Sequence, residues 1–390
     1  MAEATSAMGG QGRVQARRVF EKGLELLKNG ETQDARDIFA WILERNPKAA
    51  PAHLVMGQAF LQDGDYHKAI EHFQEAMSID PNLAAQALFL SGSAHEKLGE
   101  LDRAAEEYEE AAGLDPTMGR PQVRLSRIFL RNEDYDEAAK RLQESLRYNP
   151  QNVAARLLLA SVLQRSGNKA QAAAELEKAI EARPDLAVAY QRLARLKLAD
   201  KQYAEARQLL EKAIALAPEK ASAHFALGLA YEGLGQDSKA AEAYAEAQRL
   251  KPKRNAAEIR RASVLIRLGR YEEALQALQQ VVKRKPDSAA AHKQLGDVFH
   301  HLKRYDSAVD EYRAALLNQP DLLERAPELK RLATADLPSD DLSAKFHAQF
   351  QNVAEELKFA AADDGSRFGA RRGAAARLAG GRLRRRVGRS

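Results

Sequence analysis

Nine prolines set the frame of this chain. Pro47, Pro81, Pro116, Pro150, Pro184, Pro218, Pro252, Pro286 and Pro320 stand 34 residues apart at seven of their eight intervals and 35 apart at the other, Pro81 to Pro116. A fixed period of this length means stacked copies of one small supersecondary unit. When each unit is numbered so that its proline is position 32, position 20 is alanine in all nine units, from Ala35 to Ala308. Position 8 is always small: Gly23, Gly57, Gly92, Ser126, Ala160, Ala194, Gly228, Ala262 and Gly296. Position 24 is always large: Phe39, Phe73, Tyr108, Leu142, Leu176, Leu210, Tyr244, Leu278 and Tyr312.

These sizes predict two helices per unit. Small residues at positions 8 and 20 let two helix backbones approach, and large ones at 11 and 24 fill the space beside them. Glycine at position 15 in six units (Gly30, Gly64, Gly99, Gly167, Gly235, Gly269) suits the left-handed residue that ends a first helix. The position-32 proline ends the second. Ala, Leu, Glu, Arg and Lys, all good helix formers, dominate the composition.

This register resembles the tetratricopeptide repeat family over residues 16–320. The resemblance implies an all-α, right-handed solenoid of antiparallel helix pairs, a superhelix whose first helices line a concave, peptide-binding groove. Departures are visible. Val19, His53, Gln122, Tyr190 and Glu258 occupy position 4 where the family often has tryptophan, His95 and Lys197 occupy position 11, and Arg261 at position 7 predicts a less well packed eighth unit. The extra residue after Pro81 is expected in an inter-repeat loop.

Outside the array, residues 1–15 read as a flexible leader and 321–336 as a capping helix. Residues 337–362 read as an amphipathic helix, its stripe formed by Phe346, Phe350, Val353 and Leu357. That stripe reads as docked on the last repeat, with self-association or partner binding as the alternative. Residues 363–390 read as a disordered tail. Residues 366–390 hold nine arginines, Arg371, Arg372, Arg384, Arg385 and Arg386 among them, and no acid, so residues 1–365 carry a net charge of −4. The tail offers weak, salt-sensitive attraction to nucleic acid or anionic lipid.

Catalytic chemistry finds no foothold. The chain has no cysteine, and it shows no phosphate loop, dinucleotide fingerprint or zinc-protease motif. No catalytic residue, metal or cofactor is assigned. Asp297, His300 and His301 share a helical face, which reads as a solvated polar face. His53, His224 and His292 all fall at position 4 and read as packing positions. The glutamates of 106–110 read as a solvated second helix. No apolar run suggests a signal peptide or membrane span, and a cytoplasmic chain is the expectation.

The polar feature that points to function lies on first helices. Arg120, Arg124, Arg127 and Arg131 fall at i, i+4, i+7 and i+11, one helical face. Arg165, Arg192, Arg195, Arg260 and Arg267 fall at positions 6, 9 or 13 of later units. A groove so lined fits an acidic segment of another protein or peptide; the alternative is arginines paired to neighbouring acids. The clamp by which some relatives hold a terminal carboxylate is missing, since Phe20, Leu24, Leu54, Phe89 and Ser93 stand there. They suggest an apolar N-terminal groove open to an amphipathic helix.

Overall fold

The computed structural model describes residues 10–253, 255–334 and 341–363. The chain divides into two compact units, residues 1–189 and 190–390. The first holds five helix pairs: α1 (Gly10–Asn29) with α2 (Thr32–Arg45), α3 (Ala50–Asp63) with α4 (Tyr66–Ile79), α5 (Ala84–Leu98) with α6 (Leu101–Leu114), α7 (Arg120–Arg131) with α8 (Tyr135–Tyr148), and α9 (Val153–Arg165) with α10 (Lys169–Ala182). The division falls within α11 (Ala187–Ala199), whose partner is α12 (Tyr203–Leu216). The second unit continues with α13 (Ala221–Gly233) and α14 (Asp237–Leu250), α15 (Asn255–Arg267) and α16 (Tyr271–Arg284), and α17 (Ala289–His301) and α18 (Tyr305–Asn318). Three further helices follow: α19 (Leu322–Arg325), α20 (Pro327–Thr334) and α21 (Asp341–Asp363). Within each unit a second helix packs on the first helix of the next pair, as α4 does on α5 and α14 on α15. This is an all-α solenoid, stabilised by contacts between nearest neighbours.

Each pair closes on one steric fit. A methyl group on Gly57 would sit 2.5 Å from the Phe73 ring, and one on Gly92 would sit 2.8 Å from the Tyr108 ring. Gly23, Gly228 and Gly296 meet Phe39, Tyr244 and Tyr312 in the same way. In the other four pairs position 24 is leucine, and position 8 is then Ser126, Ala160, Ala194 or Ala262. The small residue at position 8 therefore makes room mainly for the side chain at position 24, rather than only for the backbone at position 20. That backbone is close too: the Ala69 carbonyl lies 3.0 Å from the same methyl position on Gly57.

The turn inside each pair demands a left-handed residue at position 15. All six glycines there have φ between 68 and 86°. Where glycine is missing, Glu133, Lys201 and Lys303 adopt φ of 60, 59 and 58°. The chain geometry thus overrides residue preference at three turns, at a cost of about 1–2 kcal/mol each.

The structure moves several expected boundaries. Helix α1 begins at Gly10, inside the segment read as a flexible leader, so the first repeat helix extends backwards by almost two turns. The capping segment holds two short helices, α19 and α20, broken where Ala326 is extended just before Pro327. The extra residue after Pro81 does not lengthen the inter-repeat loop: α5 starts three residues after its proline, as α3 does, and is 15 residues long where α3 is 14. The eighth pair is not loosely packed: Val264, Leu265, Leu278 and Val281 are fully buried, and half-buried Arg261 reaches toward Glu273 at 3.9 Å. Helix α21 packs on α18 and α20, burying Phe346, Phe350 and Val353 against Tyr312, Leu316 and Leu329. Its apolar stripe is covered by the chain itself.

Replacing Glu133 or Lys201 by glycine is expected to stabilise the protein by about 1 kcal/mol each. A urea titration checks this: both midpoints rise. A fall would show that those side chains hold their turns by contacts that outweigh the backbone strain.

A candidate binding surface on the first helices

Helix α7 buries Pro121, Leu125, Ser126 and Ile128, which turns its arginines outward. They do not share one fate. Arg124 donates to Glu96 on the preceding first helix at 3.3 Å, and Glu96 also accepts from the Tyr108 hydroxyl at 3.0 Å. Arg120, Arg127 and Arg131 are exposed and make no salt bridge among the described residues. On the next first helix, Arg165 lies over the Tyr135 ring at 5.4 Å.

The second unit repeats the Tyr108–Glu96–Arg124 arrangement at equivalent positions. The Tyr244 hydroxyl donates to Glu232 at 2.7 Å, and Arg260 and Arg267 approach Glu232 at 3.6 and 3.2 Å. Arg267 also grips Asp237 with two hydrogen bonds of 2.7 and 2.9 Å. The Arg267 guanidinium holds the Asp237 carboxyl below its usual range, and burial pushes the Tyr108 and Tyr244 hydroxyls up. Arg124, Arg260 and Arg267 are therefore inter-repeat ties. Arg192 is half-buried with an interaction of its own, and Arg195 is exposed, both on α11. Of the nine arginines singled out from the sequence, Arg120, Arg127, Arg131 and Arg165 are exposed in the first unit and have no salt bridge among the described residues. Arg371, Arg372, Arg384, Arg385 and Arg386 lie outside the described residues.

The apolar N-terminal groove does not form as expected. Leu54 is buried, Phe20 packs edge-on against Phe39 at 5.2 Å, and Phe89 lies 5.8 Å from Tyr108. Ser93 accepts from Tyr108 at 3.2 Å. These residues flank the position-24 rings and are spent inside the array; only Leu24 stays substantially exposed, at 39%.

The histidines take structural roles. His53, His224 and His292 each place Nε2 at 2.8–3.0 Å from the carbonyl of the preceding repeat's proline, Pro47, Pro218 and Pro286. Arg156, also at position 4, donates to the Pro150 carbonyl at 2.8 and 3.1 Å. In these four repeats position 4 thus supplies a donor to a carbonyl just past a helix end. Asp297, His300 and His301 go to different partners. Asp297 accepts from Tyr312 and Lys293, both at 2.9 Å. His301 stacks on Tyr271 at 4.8 Å, and His300 packs against Phe346 of α21 at 5.0 Å. Among the described residues no group of three or more His, Asp or Glu is placed to hold a metal ion, and no helix is long and apolar enough to cross a membrane.

Two carboxylates, one buried and one half-buried, escaped the sequence reading. Glu258 is 3% exposed and pairs with Arg284. Glu107 accepts from Ser91 at 2.8 Å, and burial pushes its carboxyl up. It lines a cleft with His95, whose Nδ1 lies 2.8 Å from Glu100. Neither announces itself in sequence: Glu107 sits among exposed acids at a helical spacing typical of solvated faces, and Glu258 is a lone acid among the arginines and small residues of α15.

Protein-family models described as tetratricopeptide repeat match residues 20–84, 123–187, 192–255 and 259–324, and a second such model matches 60–128. The chain belongs to the tetratricopeptide repeat family. Among curated proteins none matches this array. Several solved tetratricopeptide structures are similar to it. The C-terminal part of a TPR repeat-containing protein from Cytophaga hutchinsonii is 19% identical over 61% of this chain and 97% of that one, with a TM-score of 0.52, a likeness of fold. YrrB, described as a TPR protein with an unusual peptide-binding site, is 23% identical over 49% of this chain and 99% of its own, with a TM-score of 0.44. MamA from Desulfovibrio magneticus RS-1 is 26% identical over 45% and 97%, with a TM-score of 0.42.

The last tetratricopeptide pair carries a pH-dependent contact. Burial, followed by the charges of His301 and His347, holds His300 below its ordinary value of 6.5, against a smaller opposing pull from Asp297. A base depressed in the folded state stabilises the fold above its unfolded pKa and loses that contribution as pH falls through the folded pKa. Hydrogen exchange of residues 341–363, corrected for intrinsic rates, should therefore show weaker protection at pH 5 than at pH 7.5. His300→Gln should flatten the difference. Equal protection at both pH values would contradict the assignment.

Proposed function

We propose that this protein-interaction scaffold binds an acidic segment of a partner protein on the first-helix face of α7 and α9. The observation that carries the reading is the contrast among the arginines. Arg124, Arg260 and Arg267 have carboxylates within the fold. Arg120, Arg127 and Arg131 have none among the described residues, although Arg127 and Arg131 lie on the same helical face as Arg124. Exposed guanidinium groups on a rigid helix are preorganised to receive carboxylates in pairs of hydrogen bonds. A helix presents them at fixed spacing, so this protein loses less freedom on binding than flexible lysines on a loop would. The role is one of holding, not of catalysis.

Charge governs such an encounter, so affinity should fall with added salt. The test is the fluorescence anisotropy of a labelled glutamate-rich peptide titrated with the full chain. Arg127→Glu with Arg131→Glu is expected to weaken binding by at least about tenfold, with the helical circular dichroism unchanged. The same reversal at Arg260 and Arg267, which are already tied internally, should cost stability in preference to affinity. Peptide affinity unchanged by the first pair of substitutions would end this reading.

A further inference from the structure

We propose that the outer face of α4 and α6 binds residues 366–390 of a second copy of this chain, with one arginine guanidinium entering a cleft lined by both helices. The face belongs to second helices, so it is separate from the first-helix surface proposed above for an acidic segment. Helix α6 is the most acidic second helix of the array. It carries five acids, Asp102, Glu106, Glu107, Glu109 and Glu110, against one base, Arg103, and no other second helix carries more than three acids. Internal cations do not use this charge up. Glu109 pairs with Arg141 at 2.8 Å, and Arg103 pairs with Glu100 at 3.2 Å. Asp102, Glu106 and Glu110, with Glu71 on α4, are exposed and make no salt bridge among the described residues.

The cleft has a volume of about 470 Å³. Exposed Glu71, Gln74 and Glu106 line it, together with half-buried Glu107 and, from α5, buried His95. Glu107 Oε1 accepts from Ser91 at 2.8 Å and lies 3.5 Å from His95 Nε2. Its other oxygen, Oε2, is buried with no hydrogen-bond partner. A carboxylate oxygen left without a donor costs its desolvation, and a cation with N–H groups to give recovers that cost. A guanidinium brings five donors in a flat fork and can serve several carboxylates at once, where an ammonium is a compact point charge.

Residues 366–390 supply that group and nothing opposed to it: nine arginines, no lysine and no acid. Helix α21 packs on α18 and α20, which roots this segment at the last hairpin, whereas the acidic face belongs to the second and third. A second copy brings the two together whatever the path of one array. Attraction between an uncompensated acidic face and an all-cationic segment is strong at low salt and screened as salt is added.

A labelled peptide of residues 366–390, titrated with the full-length protein at low salt and followed by fluorescence anisotropy, tests the face. Glu71→Lys with Glu106→Lys should weaken binding by at least about tenfold. Glu177→Lys with Glu181→Lys on α10, the same change of charge at exposed positions elsewhere, should weaken it far less. Equal losses would mean that the segment senses only net charge, and would overturn the face, as would a peptide that does not bind. Exchanging the nine arginines of the peptide for lysine should also weaken it severalfold; equal affinity would overturn guanidinium entry into the cleft. Sedimentation of the full-length protein tests the second copy. Its mass should rise with concentration at low salt, and Arg371→Gln, Arg372→Gln, Arg384→Gln, Arg385→Gln and Arg386→Gln together should hold it at the monomer. A monomer at every concentration, with the peptide still binding, would overturn the second copy.

Discussion

Everything in this structure depends on a contact between a large side chain and the gap left for it. In each hairpin the position-24 side chain of the second helix presses on position 8 of the first. The two sizes trade against each other across all nine units: glycine opposite Phe or Tyr, alanine or serine opposite leucine. This fit sets how close the paired helices come, and hence where the next first helix lies and which of its residues face outward. Interiors packed to this density leave no slack, so one methyl group is felt throughout the pair.

The same contact connects to the polar chemistry. Where position 24 is tyrosine, its ring fills the gap and its hydroxyl emerges at a carboxylate on the first helix: Glu96, Glu232 or Asp297. In two of these three places that carboxylate holds an arginine of the following first helix, Arg124 or Arg260. Size complementarity inside a hairpin thereby becomes an ionic tie between hairpins. Such ties consume some of the arginines on the first-helix faces and leave the others for a partner. A charge inventory from sequence does not separate the two sets, because both occur at the same repeat positions.

The fold was legible because its signal is repeated nine times, so noise in any one unit does not obscure the register. Position 15 shows how far that reaches: glycine marks six turns, and the geometry then forces Glu133, Lys201 and Lys303 into the same conformation. The sequence was less informative where a residue's role depends on its neighbour in the next repeat. Arg124 and Arg127 lie three residues apart on one face, yet only Arg124 has Glu96 within reach. Leu54 and Phe89 resembled groove residues by position, but the rings they flank draw them into the core. The donor role of position 4 became visible only once the proline carbonyls were in place. Helix α1 extends past its expected start because the repeat register says where a hairpin must exist, not where its first helix must begin.

A double-mutant cycle at Gly57 and Phe73 tests the size-matching claim most directly, since no hydroxyl is lost with the ring. Gly57→Ala alone should destabilise by about 2 kcal/mol through overpacking, and Phe73→Leu alone by about 1–2 kcal/mol through the void it leaves. The double variant recreates the alanine–leucine pair present at Ala160 and Leu176, so its loss should fall short of the sum by at least about 1 kcal/mol. Strictly additive losses would mean that the two positions do not read each other's size, and the account of how each hairpin closes would be wrong.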